Sequence, residues 1–183
     1  FVADNLAEQT AMLTIGVDAL EKSGPVQLMA MLYAYGFQIF ADFAGYSLIA
    51  IGLAALFGYT LPQNFNYPYI SRSFAEFWRR WHISLSTWLR EYLYLPLGGN
   101  RKGNVRTYFN LFIVMFLGGL WHGAAWSYAV WGTFHGLALA VERLAKNRIR
   151  LPDNALVSVL RALTVFSFVT LAWLLFKLPK FSD

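Results

Sequence analysis

The chain has 183 residues, of which 57% are hydrophobic and 14% charged, with a formal net charge of +5. Soluble domains carry about a quarter charged residues, so this composition and its long apolar runs indicate a multi-pass, all-α membrane protein. The absence of cysteine excludes disulfides and cysteine-ligated metal sites, and basic residues placed beside apolar runs argue against nucleic-acid binding.

The first two predicted elements are an amphipathic helix and a transmembrane helix. Residues 4–22 have helical apolar spacing and end at a Gly-Pro pair. Residues 25–58 contain a single charge, Asp42, and form a longer apolar run than one bilayer crossing needs. We expect either one tilted span or a span with a broken or interfacial end.

Residues 73–95 read "SFAEFWRRWHISLSTWLREYLYL" and are typical neither of a lipid-facing helix nor of a soluble surface. If the segment is one helix, a face rich in aromatic residues forms at spacings of three and four, comprising Trp78, Trp81, His82, Leu85, Trp88, Leu89 and Tyr92. Charged and hydroxyl side chains cover the rest. The pattern predicts an interfacial helix or one that lines a polar cavity.

Residues 107–141 contain no Asp, Glu, Lys or Arg and lie between two basic clusters. Basic flanks favour the cytoplasmic face, so we expect a helical hairpin or re-entrant pair that returns to the side it left. Its apex would fall near residues 118–127 and would place His122 deep in the membrane or towards its far side. Residues 155–176 predict a further span, interrupted by Arg161.

Ionisable residues within apolar segments are the candidates for chemistry, because charges are costly in a membrane. His122 lies among small residues in "GGLWHGAAW", and a neutral imidazole can accept a hydroxyl proton and return it. Packing against a backbone carbonyl explains it slightly better from the residues alone. His82 could bond a substrate carbonyl, although a snorkelling interfacial histidine is the simpler interpretation.

The other ionisable candidates have structural interpretations of at least equal weight. His135 follows His122 by 13 residues, roughly 220° around a helix, so the two share no face and His135 is expected to pack between helices. Three scattered histidines without cysteine argue against zinc. Asp42 is expected to be a hydrogen-bonded structural carboxylate, while Arg79 and Arg80 would hold a phosphate-bearing donor or anchor the interface.

Three long stretches resemble the membrane-bound O-acyltransferase family, nearest to its bacterial alginate O-acetyltransferase branch. They are "FQIFADFAGYSLIAIGLAALFGYTLPQNFNYPY", "FWRRWHISLSTWLREYLYLPLGGNR" and "LGGLWHGAAWSYAVWGTFHGL". The resemblance implies a catalytic His122 and an active-site partner, His82. It also suggests substrate-binding or supporting roles for Trp78, Trp81, Arg79, Arg80, Asp42 and Trp121. Family members have more membrane helices than this chain, so we expect it to be part of a longer protein.

The resemblance also implies a reaction. A thioester donor, acetyl-CoA or an acyl-carrier protein, would supply an acetyl group on the cytoplasmic side of the bacterial inner membrane. The acceptor would be a hydroxyl, by way of a periplasmic acetyltransferase partner protein, for acetylation of an extracellular polysaccharide such as alginate. No bound cofactor or metal is implied. The alternatives are D-alanyl transfer towards teichoic acid and a non-catalytic transporter or scaffold.

Overall fold

The computed structural model describes residues 1–14, 23–146, 148, 152 and 154–177, and all regular structure within them is helical. The expected all-α class is therefore confirmed. The helices are α1 Val2–Thr10, α2 Pro25–Leu56, α3 Phe74–Arg80, α4 Ile83–Leu89, α5 Gly103–Trp121, α6 Trp126–Lys146, α7 Ala155–Ala172 and α8 Leu174–Lys177. Short 3₁₀ turns cover Ala11–Thr14 and Pro68–Ile70, and one π-helical turn covers Arg90–Tyr94.

Helix α1 packs against α2, and the Thr10 hydroxyl donates a hydrogen bond of 2.7 Å to the Gln38 side-chain oxygen. The amphipathic helix expected over residues 4–22 thus begins two residues earlier and passes into the 3₁₀ turn. Residues 15–22 of that expectation lie outside the described residues.

Two helical segments, Pro25–Leu56 and Ala155–Lys177, are long and apolar enough to cross a membrane. Polar side chains join these segments at their contact, where the hydroxyls of Tyr33 and Ser167 lie 2.6 Å apart. Gly36 allows Thr170 to approach the α2 backbone, and the Gly36 carbonyl accepts a 2.5 Å hydrogen bond from Tyr69. The two apolar segments therefore form one packed unit together with the 3₁₀ turn at Tyr69.

The structure divides the segment expected to be one helix, residues 73–95. Helix α3 ends at Arg80, Trp81 is extended, and His82 has a left-handed backbone with φ of 44° before α4 begins. The predicted aromatic face is split as a result. Trp81 is 3% exposed in the core, whereas Trp88 is 53% exposed. The prediction of one continuous helix over residues 73–95 is therefore wrong, because hydrogen bonds from a distant loop, described below, interrupt it.

Helices α5 and α6 cross with their backbones in direct contact at three glycines. A Cβ atom on Gly119 would lie 3.1 Å from the Gly132 backbone nitrogen, and one on Gly136 would lie 3.2 Å from the Phe112 Cα. A Cβ on Gly132 would also collide with the Met115 carbonyl oxygen. The short connection at residues 122–125 lies within the predicted apex and carries His122.

An aromatic core lies where α2, α3, α6 and α7 meet. Trp131 of α6 stacks on Trp173 with ring centroids 5.6 Å apart, and Phe77 of α3 stacks on Trp81 at 5.7 Å. Phe77 is 1% exposed. Large rings that bury this much surface contribute strongly to stability, and they fix the positions of the helix ends that carry the histidines.

The glycine contacts predict a sharp difference between two glycine substitutions. Gly132→Ala should destabilise the full-length protein by about 1–3 kcal/mol, because the new methyl group has no space against the α5 backbone. Gly52→Ala in α2 is the matched control, since nothing lies within 4 Å of its Cβ position. Thermal unfolding midpoints in detergent would test this prediction, and equal midpoints for both variants would contradict it.

Candidate active site

His82 lies at the break between α3 and α4, on a backbone conformation that L-residues rarely adopt. Its side chain points into the protein and is 9% exposed. The imidazole meets the Phe43 ring nearly at right angles, with centroids 4.6 Å apart. Its Nδ1 is buried and has no hydrogen-bond partner among the described residues. This polar atom is therefore available to a ligand within otherwise apolar surroundings.

The loop that contains Asn64 and Asn66, before α3, stabilises the break between α3 and α4. The Asn64 carbonyl accepts a 3.0 Å hydrogen bond from the Ile83 backbone, and its side-chain oxygen accepts one of 2.6 Å from the Ser84 hydroxyl. The Asn64 amide donates to the Ser47 hydroxyl of α2 at 3.2 Å. Asn66 adds a 2.9 Å backbone bond to Arg80. These hydrogen bonds take the place of the helical backbone bonds that are missing at the break, and they fix the position of His82.

Asn64 was missed by the sequence analysis. The available signal was the pair of asparagines in "PQNFNYP", because asparagine favours turns and can bond backbone groups. Local spacing gives no indication that this loop reaches a helix about twenty positions further along the chain.

His122 follows the last residue of α5, is half-buried, and packs against several aromatic rings. The Phe176 ring lies 5.0 Å from the imidazole, Trp131 lies at 5.4 Å, and Tyr128 lies at 6.5 Å. Trp121, its chain neighbour, lies at 5.1 Å. Residues from α5, α6 and α8 therefore fix this imidazole by shape.

Trp121 links the two histidines, which are forty positions apart in sequence. Its ring lies 6.0 Å from His82 and 5.1 Å from His122. The pKa of His82 is lowered to about 4, mainly by burial and to a smaller extent by electrostatic repulsion from His122. Its imidazole is therefore neutral at neutral pH. The structure thus brings together two imidazoles beside one indole.

A cleft of about 310 Å³ opens beside His82 and Trp121, and His122 does not line it. It is lined by His82, Ser84, Leu85, Trp88 and Trp121. One wall is aromatic, and the hydroxyl and imidazole groups supply the polar atoms. This composition is typical of small-molecule sites, which combine apolar walls with a few polar groups.

The other candidate side chains lie away from the cleft. Trp81 is in the aromatic core, and Trp78 packs on His135 at 5.1 Å. His135 itself is fully buried among aromatic rings, in agreement with the packing role expected for it.

The charged candidates do not line the cleft either. Arg80 forms a 2.9 Å salt bridge with Glu76 one turn earlier, while Arg79 is exposed. Asp42 lies on the exposed side of α2 and forms no ion pair with any residue that the structure describes. No group of three His, Asp or Glu side chains in the described ranges could hold a metal ion.

Comparisons with known proteins give a consistent result. The sequence model of the membrane-bound O-acyltransferase family matches residues 17–179. The chain is 48% identical to the probable alginate O-acetylase AlgI of Pseudomonas aeruginosa, over 97% of this chain and 33% of that protein. It is 42% identical to the peptidoglycan O-acetyltransferase of Helicobacter pylori, over 96% of this chain and 33% of that protein.

A third relative is less similar. The teichoic acid D-alanyltransferase of Streptococcus thermophilus is 32% identical, over 97% of this chain and 48% of that protein. The chain spans about a third of the length of the two O-acetylating relatives.

The hydrogen bonds of Asn64 predict how its loss would affect His82. In Asn64→Ala, the Ser84 and Ser47 groups lose their partner, and the His82 break should loosen. Labelling of His82 by diethyl pyrocarbonate, followed by mass spectrometry of the full-length protein, should become several-fold faster. Asn66→Ala is the control because Asn66 uses only backbone atoms in the bonds that hold the break. Equal labelling in wild type and Asn64→Ala would refute the assignment.

Proposed function

The chain belongs to the membrane-bound O-acyltransferase family, and we propose that it carries the reaction centre of an O-acetyltransferase that serves an extracellular polysaccharide such as alginate. The observation that carries this proposal is that His82 and His122 both contact the Trp121 ring, next to a cleft lined by His82 and Trp121. In the proposed reaction, an acetyl group passes from a thioester to a hydroxyl.

The gradient of similarity supports acetyl transfer over D-alanyl transfer. Relatives named for O-acetylation of alginate and peptidoglycan are 48% and 42% identical to this chain, whereas a D-alanyltransferase is 32% identical. Both acetylated polymers in those names are extracellular glycans. We therefore infer a polysaccharide-directed acetyltransferase, with alginate as the first polymer to test.

In the proposed mechanism, His122 is the general base. Its neutral imidazole accepts the proton of the acceptor hydroxyl as that oxygen attacks the thioester carbonyl carbon. When the tetrahedral intermediate collapses, the carbon–sulfur bond breaks and the proton passes from the imidazolium to the leaving thiolate. The products are an ester and a thiol, and the histidine is regenerated.

His82 is proposed to polarise or position the thioester carbonyl. A neutral imidazole carries one N–H donor, which can bond the carbonyl oxygen as negative charge develops there. Its low pKa keeps it neutral, so it does not add a second positive charge next to the imidazolium at His122. The aromatic rings packed against His122 would limit access of water and so suppress thioester hydrolysis.

The proposed topology follows from charge and length. The two apolar segments would cross the bacterial inner membrane, and α5–α6 would form a re-entrant or hairpin pair with its basic ends on the cytoplasmic side. The donor, acetyl-CoA or an acyl-carrier protein, would approach from that side. The acceptor would be the polymer or a periplasmic acetyltransferase partner protein that modifies it.

Removal of His122 is the main test of this function. In the full-length protein in its host membrane, His122→Ala should remove ester-linked acetate from the secreted polymer, because no other described group replaces the base at that position. Acetate would be quantified after mild alkaline release, with membrane levels matched by immunoblot.

Leu163→Ala, on an exposed face of α7 where the side chain is 55% exposed, is the matched control and should keep wild-type acetate. Unchanged acetate in His122→Ala would reject the proposed base and favour a transporter or scaffold. A D-alanyl ester on the acceptor in place of the acetyl ester would instead favour the alanylation alternative.

A second test separates the roles of the two histidines. His82→Gln keeps an N–H donor, whereas His82→Ala removes it, so Gln should retain part of the transfer rate and Ala should lose about 10²–10³-fold. Single-turnover rates with purified full-length protein and an acetyl thioester would measure this. Equal rates for Gln and Ala would contradict a hydrogen-bonding role for His82.

A further inference from the structure

His135 is a buried ionisable group that the proposed mechanism leaves unused. It lies on α6 with 0% of its surface exposed. Aromatic rings surround it, with Trp131 at 4.8 Å, Trp78 at 5.1 Å, Phe168 at 6.0 Å and Phe77 at 6.3 Å. This chain alone therefore encloses the imidazole completely.

Both ring nitrogens of His135 lack a hydrogen-bond partner among the described residues. A buried polar atom without a partner costs free energy, and an apolar ring such as phenylalanine would fill a similar volume without that cost. Packing alone thus gives no reason for a histidine at this position. A ring with an N–H edge differs from phenylalanine in one respect, namely the strength of its contact with neighbouring aromatic faces.

Trp131 connects this ring to the candidate active site. It lies one helical turn before His135, and its indole meets the His122 ring at 86° with centroids 5.4 Å apart. Trp131 is 2% exposed, and its own Nε1 has no hydrogen-bond partner among the described residues. Its orientation is therefore set by ring contacts, of which His135 supplies one and Trp173 supplies another.

We propose that His135 is a positioning residue that fixes the Trp131 indole, and through it the orientation of the His122 imidazole. The inference rests on the proposed function, because it assigns His135 to the same acetyl transfer. In a closely packed core, the Trp131 indole cannot rotate without displacing the rings of His122 and His135. Proton transfer depends on the orientation of the base, so a small rotation of His122 lowers the rate while substrate binding is retained.

The test compares His135→Phe with wild type in purified full-length protein. We expect kcat for acetyl transfer to fall roughly tenfold or more with KM unchanged, because a misoriented base slows the chemical step without changing substrate binding. The thermal midpoint should stay equal or rise, because two unpartnered nitrogens are removed. Leu137→Ala, on the same helix with a side chain that is 54% exposed, is the control and should keep wild-type kcat.

A double-mutant cycle with Trp131→Phe tests whether His135 acts on His122 through Trp131. If His135 acts through Trp131, His135→Phe should lower kcat far less in the Trp131→Phe background than in wild type. Additive effects would overturn the route through Trp131. A fall in kcat accompanied by a lower thermal midpoint would reduce His135 to a structural residue.

A measurement that needs no activity separates this proposal from the proposed function. The labelling rate of His122 by diethyl pyrocarbonate should change in His135→Phe and stay constant in Leu137→Ala. If His122→Ala still transfers acetate, the proposed function fails, and the labelling result still decides whether His135 positions His122. If His122→Ala is inactive but His135→Phe keeps both wild-type kcat and wild-type labelling, the positioning proposal alone fails.

Discussion

The backbone contact between α5 and α6 is the constraint on which the candidate site depends. Gly119 and Gly132 meet without side chains between them, so the end of α5 is held against the first turns of α6. His122 stands at that end, and Trp131 stands beside Gly132. The close approach therefore brings the imidazole within ring contact of the indole, and larger residues at the crossing would separate them.

A second constraint acts on His82, which contacts the Trp121 ring from the break between α3 and α4. The Asn64 loop takes over the hydrogen bonds of the backbone after Arg80, and α3 consequently ends where His82 must turn inward. In an uninterrupted helix, the helical turn alone would set the direction of the His82 side chain, and the inward turn at His82 would be absent. The site thus combines two constraints. The glycine contact between α5 and α6 fixes His122, and the hydrogen bonds of Asn64 fix His82. The residues that form these two constraints lie in separate segments of the sequence.

The sequence predicts the parts of this arrangement that arise locally. Apolar runs and Pro25 indicate α2, and the uncharged segment between basic clusters indicates the α5–α6 pair with its connection near His122. The break at His82 could not be predicted, because the three-and-four spacing of residues 73–95 continues through it and the bonds that cause it come from Asn64. The pairing of the two histidines came from family resemblance, since spacing carries no information on contacts between separate helices.

The chemistry of the site follows from how its imidazoles are held. Hydrogen bonds to carboxylates would fix a histidine's tautomer and raise its basicity. Here the described neighbours of His122 and His82 are mainly aromatic rings, which fix orientation by shape, and the Nδ1 of His82 has no hydrogen-bond partner among the described residues. A neutral imidazole costs little to place in such surroundings, whereas an imidazolium is disfavoured there. A base held in this way would carry its proton only briefly between the attacking hydroxyl and the departing thiolate, so orientation rather than basicity becomes the property that the surrounding rings must preserve.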